Sequence, residues 1–298
     1  MLTRLLHRRG SVARANGVDL HWVEAGEGRP LVLLHGVGDS HLTWSKVVPA
    51  LARTRRVLVP DLCGHGLSGR PNATYTLDWH ARTITEWLEQ LAIEEADVVG
   101  HSYGGGVAQW MLLNPAHRVR RLALVSSGGL GREVSLALRL AATPYVMEHM
   151  GQPFMATGTF VALQVAIRGV YSSRELLKLA LQNGKRGTAR AFARTVRDVI
   201  DLGGQRRGFH QHAHALRELP PIGVFWGAND PIIPVSHAAE AARVIPGVTI
   251  TTFARCGHYP HRERPGTFVD ALEAFLDRDA TPVLSPWFGT GIIDRLTA

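Results

Sequence analysis

Short apolar runs separated by longer amphipathic stretches recur along most of the chain. Residues 18–25 alternate apolar and polar positions, which predicts an early antiparallel strand. Residues 31–34 read as a buried strand, 42–51 as a helix, and 56–60 as a second strand with Val57, Leu58 and Val59 at its core. Over 77–91 the apolar residues Trp79, Ile84, Leu88 and Leu91 fall on one face at helical spacing. Residues 96–99 and 121–125 are further buried strands, and a helix is predicted from Gly105 to Leu113 between them. Between Gly128 and Pro220 the strand signals stop, and helices are predicted at 134–140, 160–167, 174–181 and 188–200. The alternation resumes at Ile222. A buried strand leads to a turn at Asp230, a helix capped by Ser236 runs to Val244, a strand covers 249–253, and Pro265 opens a helix through Leu276. Strand and helix in alternation imply an α/β fold whose mostly parallel sheet is covered on both faces.

Composition narrows the class without changing that picture. The chain has 298 residues, 45% hydrophobic and 19% charged, enough for one large domain or a domain with an insertion and unlike a disordered chain. Cys63 and Cys256 are its two cysteines, too few for a disulfide framework, so a reducing compartment is expected. Residues 1–10 hold arginines but no apolar core of signal-peptide length. The uncharged stretch 149–167 contains Gln152, Pro153, Thr157 and Gly158 and does not read as a membrane span. A cytoplasmic protein is expected. Residues 132–207 carry a net charge of +7 against +8 for the whole chain. Arg186, Arg190, Arg194 and Arg197 share a helix face there, with Phe192, Val196, Val199 and Ile200 turned the other way. A solvated face is the plainer reading; attraction of anionic substrates is the sharper one. No nucleic-acid-binding motif accompanies the charge.

The chemistry concentrates in Gly100-His101-Ser102-Tyr103-Gly104, between a strand and a helix. A G-x-S-x-G in that setting is a nucleophile elbow: the serine sits on a sharp, strained turn, and only small residues fit two positions either side. Asp230 follows a buried strand, and His258 lies in Cys256-Gly257-His258-Tyr259-Pro260 after the last one. A serine hydroxyl is a weak nucleophile until an imidazole takes its proton. The imidazole in turn needs a carboxylate on its other nitrogen. Ser102, His258 and Asp230 are the candidates for these three roles. No H-x-x-E-H, H-E-x-x-H or C-x-x-C pattern is present, and His210, His212 and His214 lack a clear fourth partner. Neither a metal nor a cofactor is assigned.

Five motifs stand in one order: Leu31-Val32-Leu33-Leu34-His35-Gly36, Asp61-Leu62-Cys63-Gly64-His65-Gly66-Leu67-Ser68, the elbow, the Asp230 turn and Gly257-His258-Tyr259-Pro260. In these the chain resembles the α/β-hydrolase family over roughly residues 15–278. The resemblance implies an eight-stranded sheet with a helical cap inserted after the sixth strand. The divisions are then a core at 1–128 and 220–278, a cap at 129–219 and a tail at 279–298. It also implies the triad order Ser, Asp, His. Of the two backbone amides of an oxyanion hole, Tyr103 supplies one at the helix start, and by resemblance Val37 supplies the other. Asp61 matches a position that organises the loop after its strand. His35 reads as a ring that shapes its own loop, and His101 as a packing or orienting residue.

The expected function is a carboxylic-ester hydrolase, with a small or medium acyl substrate and an acyl-enzyme on Ser102. Two alternatives stay open: a carbon–carbon bond hydrolase of the meta-cleavage type, whose members often carry Asn where this chain has His101, and a non-catalytic ligand receptor on the same fold. A small-molecule substrate is the only partner expected. Relatives that attack with an elbow aspartate are set aside, because that position is Ser102.

Overall fold

The computed structural model describes residues 10–114, 119–142, 146–166, 169–209, 216–279, 281–285 and 288. His210, His212 and His214, and most of the tail, lie outside the described residues. Six strands come first: β1 (Ser11–Ala15), β2 (Val18–Ala25), β3 (Arg29–Leu34), β4 (Arg55–Pro60), β5 (Ala96–His101) and β6 (Val119–Val125). Short ladders follow at β7 (Ile200–Asp201), β8 (Gly204–Gln205) and β9 (Glu218–Leu219), then β10 (Ile222–Gly227), β11 (Thr249–Phe253) and β12 (Val283–Leu284). Eight strands form one sheet in the order β1-β2-β4-β3-β5-β6-β10-β11. It is parallel from β4 to β11, and only β1 and β2 run against their neighbours.

Period-two alternation explains why the buried strands read as unbroken apolar runs. Val98, Leu122, Leu124 and Val224 point into one core, with Trp87, Leu88 and Val107. Val99, Ala123, Val125 and Phe225 point into the other, with Phe268 and Leu272. Both faces of the central strands β5, β6 and β10 are therefore dry, and these strands carry mostly apolar residues on either side. The covering helices include α1 (Val48–Leu51), α2 (Leu77–Gln90) and α3 (Tyr103–Leu112).

The segment between β6 and β10 adds no strand to the main sheet. It holds α4 (Leu136–Ala141), α5 (Val146–Met150), α6 (Met155–Ala166), α7 (Ser173–Asn183) and α8 (Thr188–Val199). The core closes with α9 (Ser236–Val244), α10 (Pro260–Glu263) and α11 (Pro265–Leu276). No helix among the described residues is long and apolar enough to cross a membrane.

Four details depart from the sequence reading. The single helix predicted over 42–51 is a 3₁₀ turn, His41–Trp44, followed by α1. Pro49 has no N–H to bond the carbonyl four residues back, so one continuous helix cannot form. Ser236 is the first helical residue of α9, and Val235 occupies the cap position. The strand β1 has no apolar period to announce it; pairing with β2 holds it. The arginine face of α8 is a docking surface more than a solvated one. Arg190 donates to the Arg70 and Pro71 carbonyls at 3.1 and 3.3 Å, and Arg194 to Asn72 Oδ1 and the Ala73 carbonyl at 2.8 and 2.7 Å. Arg194 and Arg197 also share Glu148.

Candidate active site

In an open parallel sheet, loops at the carboxyl ends of the strands are free to gather a site, because the helices return the chain from the other edge. Here β3 leads into His35, β5 into Ser102, β10 into Asp230 and β11 toward His258. All four follow strands of the parallel part of the sheet.

Ser102 lies between β5 and α3 with φ +53° and ψ −117°, a conformation L-residues rarely adopt. Its surroundings hold it there. Its N–H donates to the Val125 carbonyl at 2.9 Å, and its own carbonyl accepts from Gly105 and Gly128 at 3.0 and 3.1 Å. The two elbow glycines follow from contact. A Cβ on Gly100 would lie 2.4 Å from the Gly104 carbonyl oxygen, and one on Gly104 would lie 2.6 Å from the carbonyl oxygens of Leu34 and His35. The elbow is thus pressed against the end of β3.

Asp230 and His258 meet. His258 Nδ1 is 2.7 Å from Asp230 Oδ2, and the second carboxylate oxygen accepts the N–H groups of Ile232 and Ile233 at 2.8 and 3.0 Å. This arrangement assigns the proton to Nδ1 and leaves Nε2 as the basic nitrogen. Ser102 and the His258 loop are linked through His101. Its Nε2–H donates to the His258 carbonyl at 2.9 Å, and its ring lies 4.8 Å from that of His258. Burial holds His101 well below the ordinary imidazole value, so it is a neutral spacer.

Val37, Ser102 and Tyr103 line one cavity of about 40 Å³. The other walls are mostly apolar: Leu77 on α2, Val134 and Leu138 around α4, Val196 and Val199 on α8, and Ile233 after Asp230. The segment between β6 and β10 and the rest of the fold therefore both contribute. Arg207 is the cation in the lining, and it is paired with Asp198 at 2.8 Å and Asp78 at 3.0 Å. Tyr103 N–H belongs to the first turn of α3, where amides have no partner within the helix and the helix dipole favours an anion.

His35 ties two loops together. Its Nε2 accepts the Leu62 N–H at 2.9 Å, which assigns the proton to Nδ1 and a hydrogen bond to the Gly36 carbonyl at 2.8 Å. Burial keeps it neutral by lowering its proton affinity. Asp61 is a buried hub: it accepts the N–H groups of His41 and Leu67 at 2.7 and 2.9 Å and both imidazole Nδ1 atoms, His21 at 2.9 Å and His41 at 3.0 Å. Burial alone would raise its carboxyl, but the neighbouring charge of His41 and the hydrogen bonds from both rings hold it well below the usual range. His21, His41 and Asp61 are the one group among the described residues with metal-ligand spacing. Their ligand atoms bond to one another and to the His41 and Leu67 amides, which makes the group a hydrogen-bonded hub.

Sequence reasoning missed Asp39, Thr43, Tyr171, Glu175, Asn183 and Arg262, which surround the His35–Asp39 loop and the His258 loop. The capping-box pattern Ser172-x-x-Glu175 is legible in the sequence; the second use of Glu175, as partner of Arg262, is not.

Comparison with known proteins adds four findings. A family profile described as alpha/beta hydrolase fold matches residues 29–265. An uncharacterized protein of Mycobacterium tuberculosis (strain ATCC 25618 / H37Rv) is 34% identical over 262 residues, spanning 85% of this chain and 76% of that one. A 2-hydroxymuconate semialdehyde hydrolase of Pseudomonas sp. (strain CF600) is 31% identical over 278 residues, spanning 90% of this chain and 94% of that one. Among solved structures, an esterase from Rhodococcus sp. ECU1013 is 26% identical, with a TM-score of 0.69, over 90% of this chain and 98% of that one.

Proposed function

The chain belongs to the α/β-hydrolase fold family, and from that premise we propose that it is a serine hydrolase that cleaves the carboxylic ester of a small or medium, uncharged acyl substrate. The observation that carries this reading is that the elbow serine and the two candidate amide residues, Val37 and Tyr103, line the same apolar cavity. The His258–Asp230 pair, joined at 2.7 Å, supplies the base.

In this mechanism Nε2 of His258 takes the proton of the Ser102 hydroxyl as Oγ attacks the ester carbonyl carbon. Asp230 keeps the proton on Nδ1 and stabilises the imidazolium that forms. The oxyanion accepts hydrogen bonds from the Val37 and Tyr103 amides, and losing one such donor costs ~10²–10³ in kcat. His258 returns its proton to the departing alcohol, leaving an acyl-enzyme. A water, deprotonated by the same imidazole, then hydrolyses it.

An uncharged acyl group suits the lining, because Arg207 is already neutralised by two carboxylates. A second reading is favoured by the 31% identity to a 2-hydroxymuconate semialdehyde hydrolase: cleavage of a carbon–carbon bond in a vinylogous diketone by the same three residues. A panel of p-nitrophenyl esters and ring-fission dienones, run beside a fluorophosphonate probe, separates the readings. Ester turnover that falls at least ~10⁴-fold in Ser102→Ala, with circular dichroism unchanged, is the expected result. Faster dienone than ester turnover favours the second reading. Probe labelling with no turnover of either class favours a receptor. Full ester turnover in Ser102→Ala overturns the assignment of the nucleophile.

A further inference from the structure

The loop that carries Val37 is soft by composition. Gly36 and Gly38 flank Val37, and Gly38 has φ +73°. Glycine gains the most backbone freedom when not held, so a loop of this kind does not fix an amide direction on its own. An oxyanion donor has to be held within a fraction of an ångström of its working position. The restraint must come from elsewhere in the molecule.

It comes from α7 and the residues around it. Asn183, the last residue of α7, donates its Nδ2–H to the Gly38 carbonyl at 2.7 Å. Tyr171, just before α7, donates its hydroxyl to Asp39 Oδ2, while the other carboxylate oxygen of Asp39 accepts the Ser40 N–H at 2.8 Å. The Tyr171 oxygen also lies 3.0 Å from Thr43 Oγ1, which is 2.9 Å from His261 Nε2. Tyr171, Asn183, Asp39 and His261 are all buried, so water does not compete for these bonds.

Arg262, four residues after His258, ties the same helix to the histidine loop. It is 1% exposed, and its guanidinium lies over the Tyr171 ring with Cζ 4.0 Å from the centroid. Its Nη2 donates to both oxygens of Glu175 at 2.9 Å, its Nη1 to the carbonyls of Leu42 and Thr43 at 2.8 and 3.0 Å, and its Nε to the Val170 carbonyl at 3.1 Å. A buried guanidinium is tolerated only when every N–H is met in this way. Burial would raise Glu175, but the Ser172 N–H and Arg262 outweigh it and bring its carboxyl down to about 2.

We infer that Tyr171 and Asn183 are positioning residues: by gripping Asp39 and Gly38 they hold the Val37 amide in register with Ser102, and Arg262 fixes their helix to the loop that carries His258. The inference rests on the serine-hydrolase reading above. Its consequence is that seating of the cap segment and assembly of the oxyanion hole are one event. Loosening the grip weakens the transition state more than the bound substrate.

The test uses the full chain with Tyr171→Phe, which keeps the ring under Arg262, and Asn183→Ala. For a p-nitrophenyl ester, each variant is expected to lose 10- to 100-fold in kcat with KM within about threefold. A trifluoromethyl ketone, which forms an oxyanion on Ser102, reads the hole directly against the matching methyl ketone. Its binding advantage should fall about tenfold in each variant. Thermal unfolding identifies any variant that is not folded, and the ketone ratio is then read on the other. Unchanged kcat and an unchanged ketone ratio overturn the inference, as does a loss confined to KM. If the wild type neither hydrolyses esters nor labels with fluorophosphonate, the serine-hydrolase reading fails and this inference with it. If the wild type does both and the variants match it, the inference fails alone.

Discussion

Asp61 shows how much one buried carboxylate can organise. It meets two backbone amides and two imidazoles from β2, the 3₁₀ turn and its own loop. It is fully enclosed, and a Cβ on Gly66 would lie 2.2 Å from its Cγ. In Asp61→Asn one acceptor oxygen becomes an NH₂ that faces N–H donors. Leaving buried donors unpaired costs 1–3 kcal/mol each, so a loss of about 3 kcal/mol or more is expected in the urea unfolding free energy. A change within 0.5 kcal/mol would mean that the hub reorganises freely. The presence of this residue was legible as part of a motif. Its partners His21 and His41 were not, because nothing in a linear pattern places residue 21 beside residue 61.

At the scale of elements, the elbow and α8 divide the work. The elbow was readable because steric exclusion writes itself into the sequence: two glycines where a Cβ would strike backbone, with a serine between them. The helix α8 was readable only as an amphipathic stretch. Its apolar side supplies Val196 and Val199 to the cavity, and its arginine side grips residues 70–73 and Glu148. Periodicity separates two faces without saying what each one meets. With Val199 on the cavity wall, Val199→Ala should shift the acyl preference toward longer chains, raising the C6-to-C4 ratio of kcat/KM about tenfold. One methylene in such a pocket is worth about 1–3 kcal/mol. A ratio unchanged across the ester series would remove Val199 from the acyl site.

On the scale of the whole molecule, five buried histidines set the response to acid. Burial lowers His35, His80, His101 and His261 from 6.5, and brings His65 to about 3. In the unfolded chain these rings protonate near 6.5, while in the fold they stay neutral, so the unfolded state binds more protons as pH drops. Their contribution is complete above 6.5 and is lost below it, each ring by up to ~1.4 kcal/mol per pH unit. Buried Asp39, Asp97 and Asp198 work the other way, since burial raises them above 3.8 and the fold takes up their protons first. The urea midpoint should hold steady between pH 8 and 7 and then fall through pH 6 and 5. A midpoint unchanged down to pH 5 would mean that these rings are not held neutral.

The α/β alternation, the parallel sheet, the position of the elbow and the candidates Ser102, Asp230 and His258 can all be read along the chain without coordinates. Each of these is enforced by local rules: a two-residue period on a sheet buried on both faces, a turn that excludes Cβ atoms, polar residues at strand ends. Tertiary structure alone decided that Asp230 reaches His258, that His101 spans to the His258 loop, and that Tyr171, Asn183 and Arg262 brace the loop bearing Val37. Those contacts join residues from 28 to 157 positions apart. They depend on how helices dock over the sheet, and docking is set by side-chain shape and by the pairing of buried charges, which no local pattern records.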